Sequence, residues 1–248
     1  MAIMRCDFLS DVLGLSTSMT VILPQAPTDQ PPPVLYLLHG LSDDDTMWSR
    51  RTSIEQYATE RGLAVVMPQV HRSFYADEDQ GLPFWTFLTD ELPRTVHRFF
   101  RLSQRREDTF VAGLSMGGYG ALKWALREPW RFAAAASLSG AVSISTAHPD
   151  DPDFARLLAR VFGAAGISGT DNDVVHLLST ADPAALPRLY VACGTEDFLY
   201  GQNRHLLEAA ERAGIPLTTS IGPGDHDWAY WDSRIRDVVD WLPLAHAS

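Results

Sequence analysis

Ser115 stands in Gly113-Leu114-Ser115-Met116-Gly117, followed at once by Gly118. A serine hydroxyl is a weak nucleophile until a base removes its proton, and an imidazole base needs a carboxylate to hold its tautomer. Two later segments supply those groups in the order Ser, acid, His. Gly194-Thr195-Glu196-Asp197 carries the acid, and Gly222-Pro223-Gly224-Asp225-His226-Asp227 carries the histidine. The set Ser115, Asp197, His226 would perform acyl transfer through a covalent intermediate. Asp197 is the preferred acid and Glu196 the alternative. Asp225, Asp227 and Asp232 lie nearer to His226 in sequence, but neighbours on one loop rarely meet the ring nitrogen in line.

Such chemistry also needs two backbone N–H groups aimed at the oxygen that turns negative. One belongs to the residue after the nucleophile, Met116. The other is expected on His39-Gly40-Leu41-Ser42, with Leu41 N–H as donor and Gly40 allowing the sharp turn. His39 then reads as a brace for that loop. His71, His97, His148, His176, His205 and His246 lack the placement after the last strand, and a structural or solvated role is expected for each. No two histidines pair with carboxylates at a metal-ligand spacing, so neither metal nor cofactor is expected.

These residues have to be held by strands and loops. Thr109–Ala112 is a buried β-type run leading into Ser115, and Tyr119, Leu122, Ala125 and Leu126 recur at helical spacing after it. The serine therefore occupies a strand-to-helix corner, which glycine two residues before and two after leaves room to close. Continuous apolar runs at 34–38, 63–67, 109–112, 133–138 and 189–193 read as parallel strands covered on both faces. Residues 2–9 and 16–23 read as an antiparallel pair at the sheet edge, and 217–221 as a last strand. Pro27 and Pro31–Pro33 mark a turn. Trp228, Trp231, Ile235, Val238 and Leu242 form one helical stripe. A helical pattern over 85–100 should kink or restart at Pro93, which has no N–H to donate. Residues 141–186 break the strand–helix rhythm and predict a cap-like insertion, with a short helix near 154–162.

The length of 248 residues suits one α/β domain over 1–248, and 46% apolar residues can fill its core. A formal charge of −11 argues against nucleic-acid or anionic-membrane binding. Lys123 is the single lysine, and Arg50-Arg51 and Arg105-Arg106 read as solvated surface. No apolar run approaches the roughly 20 residues that span a bilayer, and Asp7 and Asp11 interrupt any leader-like stretch. The expectation is a cytoplasmic protein with Cys6 and Cys193 as unpaired thiols.

Four segments together resemble the esterase D family, and its tributyrin esterase-like branch most. They are Tyr36–Ser42 with Trp48, Gly113–Ala121, Cys193–Leu199 and Gly224–Trp228, within a likeness over residues 20–243. S-formylglutathione hydrolases, feruloyl and acetylxylan esterases and secreted mycolyltransferases are relatives. The resemblance implies an α/β-hydrolase fold, a mostly parallel eight-stranded sheet flanked by helices with a small cap insertion. It implies a serine carboxylesterase for short-chain acyl esters, with Ser115, Asp197 and His226 as the triad. Leu41 and Met116 would then form the oxyanion hole. A thioesterase or an acyltransferase would keep the same triad, whereas a non-catalytic binding protein of this fold would usually lose a member of it. The partner implied is a small acyl ester, in a homodimer or homotetramer. Trp48, Tyr119 and Tyr200 are candidates for the substrate pocket. One departure is Pro68-Gln69-Val70-His71, where close relatives carry an acidic, Gly-rich turn.

Overall fold

A computed structural model describes residues 1–25, 29–144 and 151–244. Pro27, His148 and His246 lie outside those residues. The sheet has eight strands in the order β1-β2-β4-β3-β5-β6-β7-β8. They are β1 Ala2–Ser10, β2 Leu15–Leu23, β3 Val34–Leu38, β4 Ala64–Pro68, β5 Thr109–Leu114, β6 Ala134–Leu138, β7 Arg188–Gly194 and β8 Leu217–Gly222. β1 and β2 pair antiparallel with each other, as does β2 with β4, and β4 through β8 run parallel. The expected edge pair and parallel centre are therefore present.

Strand alternation sorts the core into two layers. Val34, Tyr36, Leu38, Val66 and Val111 face one side. There they meet helix α5 (Met116–Arg127) through Tyr119, Leu122 and Trp124, and α8 (Tyr200–Ala213) through Leu206 and Ala210. Leu35, Leu37, Val65, Phe110 and Ala112 face the other. There they meet α1 (Met47–Arg51) and α2 (Ile54–Glu60) through Trp48, Ile54 and Ala58. Helix α9 (Trp228–Trp241) completes that layer with Trp231, Ile235 and Val238, the stripe read in the sequence.

The 85–100 pattern does restart at its proline. A short turn α3 (Phe84–Thr86) widens into a π-helical stretch at Phe87–Glu91, and α4 (Leu92–Phe99) begins with Pro93 in its first turn. Proline cannot donate to the Thr89 carbonyl, and the Arg131 guanidinium does so instead at 3.2 Å. The insertion holds α6 (Pro152–Phe162) and, unforeseen in the sequence, α7 (Val174–Thr180). Asp151 caps α6 by accepting from the Asp153 N–H at 2.9 Å, and Asp173 caps α7 through the His176 N–H at 3.1 Å. Glu78 pairs with Arg160 of α6 at 2.9 Å, tying the loop before α3 to the insertion.

Candidate active site

β5 ends at Leu114 and α5 begins at Met116, so Ser115 alone makes the corner, at φ 52°, ψ −117°. Such a conformation is costly for a residue with a Cβ and persists only where its surroundings over-determine it. Here they do: Ser115 N–H donates to Leu138 O at 2.9 Å, and Ser115 O accepts from Ala141 N–H at 3.0 Å and Tyr119 N–H at 3.1 Å. The flanking glycines are required by contact. A Cβ on Gly113 would stand 2.4 Å from the Gly117 carbonyl, and one on Gly117 would stand 2.3 Å from Leu38 O.

The loops after β7 and β8 bring the other two groups to this corner. His226 Nε2 lies 3.1 Å from Ser115 Oγ, and His226 Nδ1 lies 2.9 Å from Asp197 Oδ2. A carboxylate only accepts, so Nδ1 carries the proton and Nε2 is free to accept from the serine. The two loops are matched to each other: a Cβ on Gly194 would meet Gly224 O at 2.0 Å. Glu196 accepts the Gly224 N–H at 2.6 Å, so it fixes the histidine loop and is not the group on the ring. Asp225 accepts the His226 N–H at 2.7 Å, Asp227 caps α9, and Asp232 holds the Ser53 N–H at 2.8 Å.

Asp197 is buried, and burial by itself would raise its pKa. Hydrogen bonds from His226, from the Ser139 hydroxyl and from the Leu199 N–H outweigh that effect and hold the carboxyl below the usual range. Ser139 closes β6 at φ 48° and also accepts the Trp231 indole N–H at 3.1 Å. The imidazole is packed edge-on to Trp231, with ring centroids 4.8 Å apart, and against Phe198 at 4.5 Å. Sequence reading missed Ser139 because a serine at the end of a buried strand carries no pattern of its own.

His39 does brace the loop after β3. Val70 N–H donates to its Nε2 at 3.2 Å, which leaves Nδ1–H to donate to Gly40 O at 2.8 Å. Burial lowers its pKa and keeps that tautomer neutral. The unusual Pro68–His71 segment thus supplies a support for this loop. Leu41 and Met116 both border a cavity of about 400 Å3 that opens on Ser115. Phe74, Ile144, Phe154 and Leu199 give it apolar walls, and Asp151 and Gln202 are among its polar edges.

The three pocket candidates are placed elsewhere. Trp48 is buried beneath the sheet, its indole donating to Leu38 O at 3.1 Å and packed against Trp228. Tyr119 is buried, with its hydroxyl donating to Asn172 O at 2.7 Å. Tyr200 opens α8, and it is its neighbours Phe198 and Leu199 that reach the cavity. A large ring beside a motif is as readily turned into the core as into a pocket. Among the described residues no cluster of three His, Cys, Asp or Glu could hold a metal.

A serine in this strained corner, on an eight-stranded sheet of this order, makes the protein a serine hydrolase of the α/β-hydrolase fold. The family model for esterases ("Putative esterase") matches residues 10–242. The chain belongs to that family and is a carboxylic ester hydrolase. It is 31% identical to an acetyl esterase of Caldicellulosiruptor saccharolyticus over 98% of both chains. Among solved structures it is similar to a fluorophosphonate-binding serine hydrolase of Staphylococcus aureus, at 37% identity and TM-score 0.89, covering 97% of this chain and 98% of that one. It is also similar to an S-formylglutathione hydrolase of the same organism, at 36% identity and TM-score 0.86 with the same coverage.

Proposed function

We propose that the protein hydrolyses short-chain acyl esters, with Ser115 as nucleophile, His226 as base and Asp197 as the orienting acid. Ser115 Oγ attacks the ester carbonyl as His226 Nε2 takes its proton, and Asp197 stabilises the imidazolium. The oxyanion settles on the N–H groups of Leu41 and Met116, at the positive end of α5. Collapse of the tetrahedral species passes the proton from His226 to the leaving alkoxide and leaves an acyl-serine. Water, deprotonated by the same imidazole, then releases the acid.

The observation that carries this reading is the 3.1 Å contact from His226 Nε2 to Ser115 Oγ on the wall of an apolar cavity. At about 400 Å3 the cavity is near the small end of the range for ligand pockets, which favours a short acyl chain. A thioester reading has the 36% identical S-formylglutathione hydrolase in its favour. Against it, glutathione carries two carboxylates, and among the described residues the cavity is bordered by Asp151 with no lysine or arginine. The reading takes residues 1–248 as one domain with 141–186 as its cap, and includes a homodimer or homotetramer. It places the protein in the cytoplasm. Two unpaired thiols, Cys6 and Cys193, are consistent with that compartment, and no helix among the described residues is long and apolar enough to cross a membrane.

The test is hydrolysis of p-nitrophenyl esters from acetate to octanoate, beside a thioester of a short acyl group. Turnover should fall with chain length and vanish in Ser115→Ala. Equal rates on long chains would overturn the short-chain assignment, and activity retained by Ser115→Ala would overturn the nucleophile.

A further inference from the structure

A second cavity, of about 590 Å3, lies at the opposite end of the sheet from Ser115. It is bordered by Thr109, the first residue of β5, whereas Ser115 follows the last. The six residues of that strand separate the two places by about 20 Å. Arg94, Arg98, Arg106 and Arg131 border it together with His97 and Trp130, and among the described residues no carboxylate does. That is a local excess of positive charge on a chain of formal charge −11.

Two of these guanidinium groups are already engaged by carboxylates outside the cavity. Arg94 pairs with Asp90 at 2.8 Å, and Arg131 with Glu128 at 2.7 Å. The other two are not. Arg106 donates only to the Pro129 carbonyl, at 3.2 Å, and Arg98 makes no ion pair or hydrogen bond among the described residues. Arg94 and Arg98 also edge a smaller neighbouring groove that holds Asp11 and Glu91. Glu91 is committed there to the Ser10 hydroxyl and the Asp11 N–H. Burial and the Arg131 charge both lower His97, so the positive charge of the wall comes from arginine. Beside the arginines Trp130 is 66% exposed, a large indole face left in water.

We propose that this cavity binds a nucleoside phosphate, with the phosphate oxygens on Arg98 and Arg106 and the base against Trp130. Guanidinium forks match phosphate oxygens in pairs, which a point charge does not. An indole offers a planar ring the stacking surface that inorganic phosphate cannot use. An open cleft of about 590 Å3 suits a mononucleotide, and the net negative charge of the whole chain disfavours a polynucleotide.

Calorimetric titration of the full chain at low salt, with ADP, adenosine and inorganic phosphate in turn, tests this. ADP should bind saturably at one site per chain, with adenosine and phosphate each at least about tenfold weaker. Loss of one charge-assisted contact in Arg98→Ala should weaken ADP about tenfold. Trp130→Ala should bring ADP down to the level of phosphate. Ester hydrolysis by both variants, measured without ADP, should equal that of the unchanged protein and so report an intact fold. Absence of saturable ADP binding, unchanged affinity in Arg98→Ala, or phosphate binding as tightly as ADP would each overturn the assignment. None of these outcomes bears on the esterase reading, which is read from Ser115.

Discussion

Asp197 is where the electrostatics of the site concentrate. Its oxygens meet the His226 ring, the Leu199 N–H at 2.7 Å and the Ser139 hydroxyl, all of which favour the charged form. Asn at this position would present an amide to Nδ1 and select the wrong imidazole tautomer. Asp197→Asn is therefore expected to lower kcat by about 10⁴-fold with the fold retained. The same carboxyl is a stability device with a definite sign. Its folded pKa lies below the unfolded value, so its contribution is present above the ordinary carboxylate range, near pH 4, and is lost as pH falls through the folded value. Urea unfolding of wild type and Asp197→Asn from pH 7 downward should show a gap that narrows only below about pH 4. A gap that stays constant over that range would show that the carboxylate charge contributes nothing to folding.

Helix α5 does two jobs, and one of them rests on the chain's single lysine. Its first turn presents Met116 N–H beside Ser115, and two turns on Lys123 is fully buried. Lys123 Nζ donates to Tyr75 O at 2.8 Å, Asn172 Oδ1 at 3.1 Å and Phe74 O at 3.3 Å, and sits over the rings of Trp85 and Tyr119. Phe74 and Tyr75 both have positive φ, and Phe74 is a wall of the cavity at Ser115. One ammonium thus clamps a strained loop and the segment before α7 onto the helix. Lys123→Met keeps the length and removes the donor, stranding acceptors in an apolar site. We expect a loss of about 3 kcal/mol in urea unfolding, with KM for p-nitrophenyl butyrate raised more than kcat is lowered. An unchanged KM would mean the clamp does not position the Phe74 wall. The clamp was not legible in the sequence, because its acceptors lie some fifty residues away on both sides and a lysine on a helix ordinarily faces water. What was legible depends on local rules. The strands announced themselves as apolar runs, the corner at Ser115 by its glycines, and Asp197 and His226 by following strands in order. The placement of Trp48 and Tyr119 is not local: which way each ring turns is decided by its partner, Leu38 O or Asn172 O, that no short window contains.

At the scale of the whole molecule the sheet joins two apolar layers, and the single-domain reading requires that they fail together. Two chemical reporters test this, Cys193 within the sheet strand β7 and Lys123 on α5 beneath the 70–76 loop. Burial pushes the Cys193 thiol up to about 12, so in the folded protein it is neither accessible nor ionised. Lys123 lies in the layer of α5 and α8, buried and held by three acceptors. In the folded protein reductive methylation should therefore modify the N-terminal amine and spare Lys123, and a thiol reagent should reach Cys6, which is partly exposed, before Cys193. Both protected groups should become reactive over one urea transition with a common midpoint, coincident with the loss of far-ultraviolet circular dichroism. Lys123 reacting at lower urea than Cys193 would mean that the 70–76 loop and the inserted helices open before the sheet does. That outcome would divide the chain into a stable sheet and a separately melting cap, and it would place the walls of the Ser115 cavity in the weaker part.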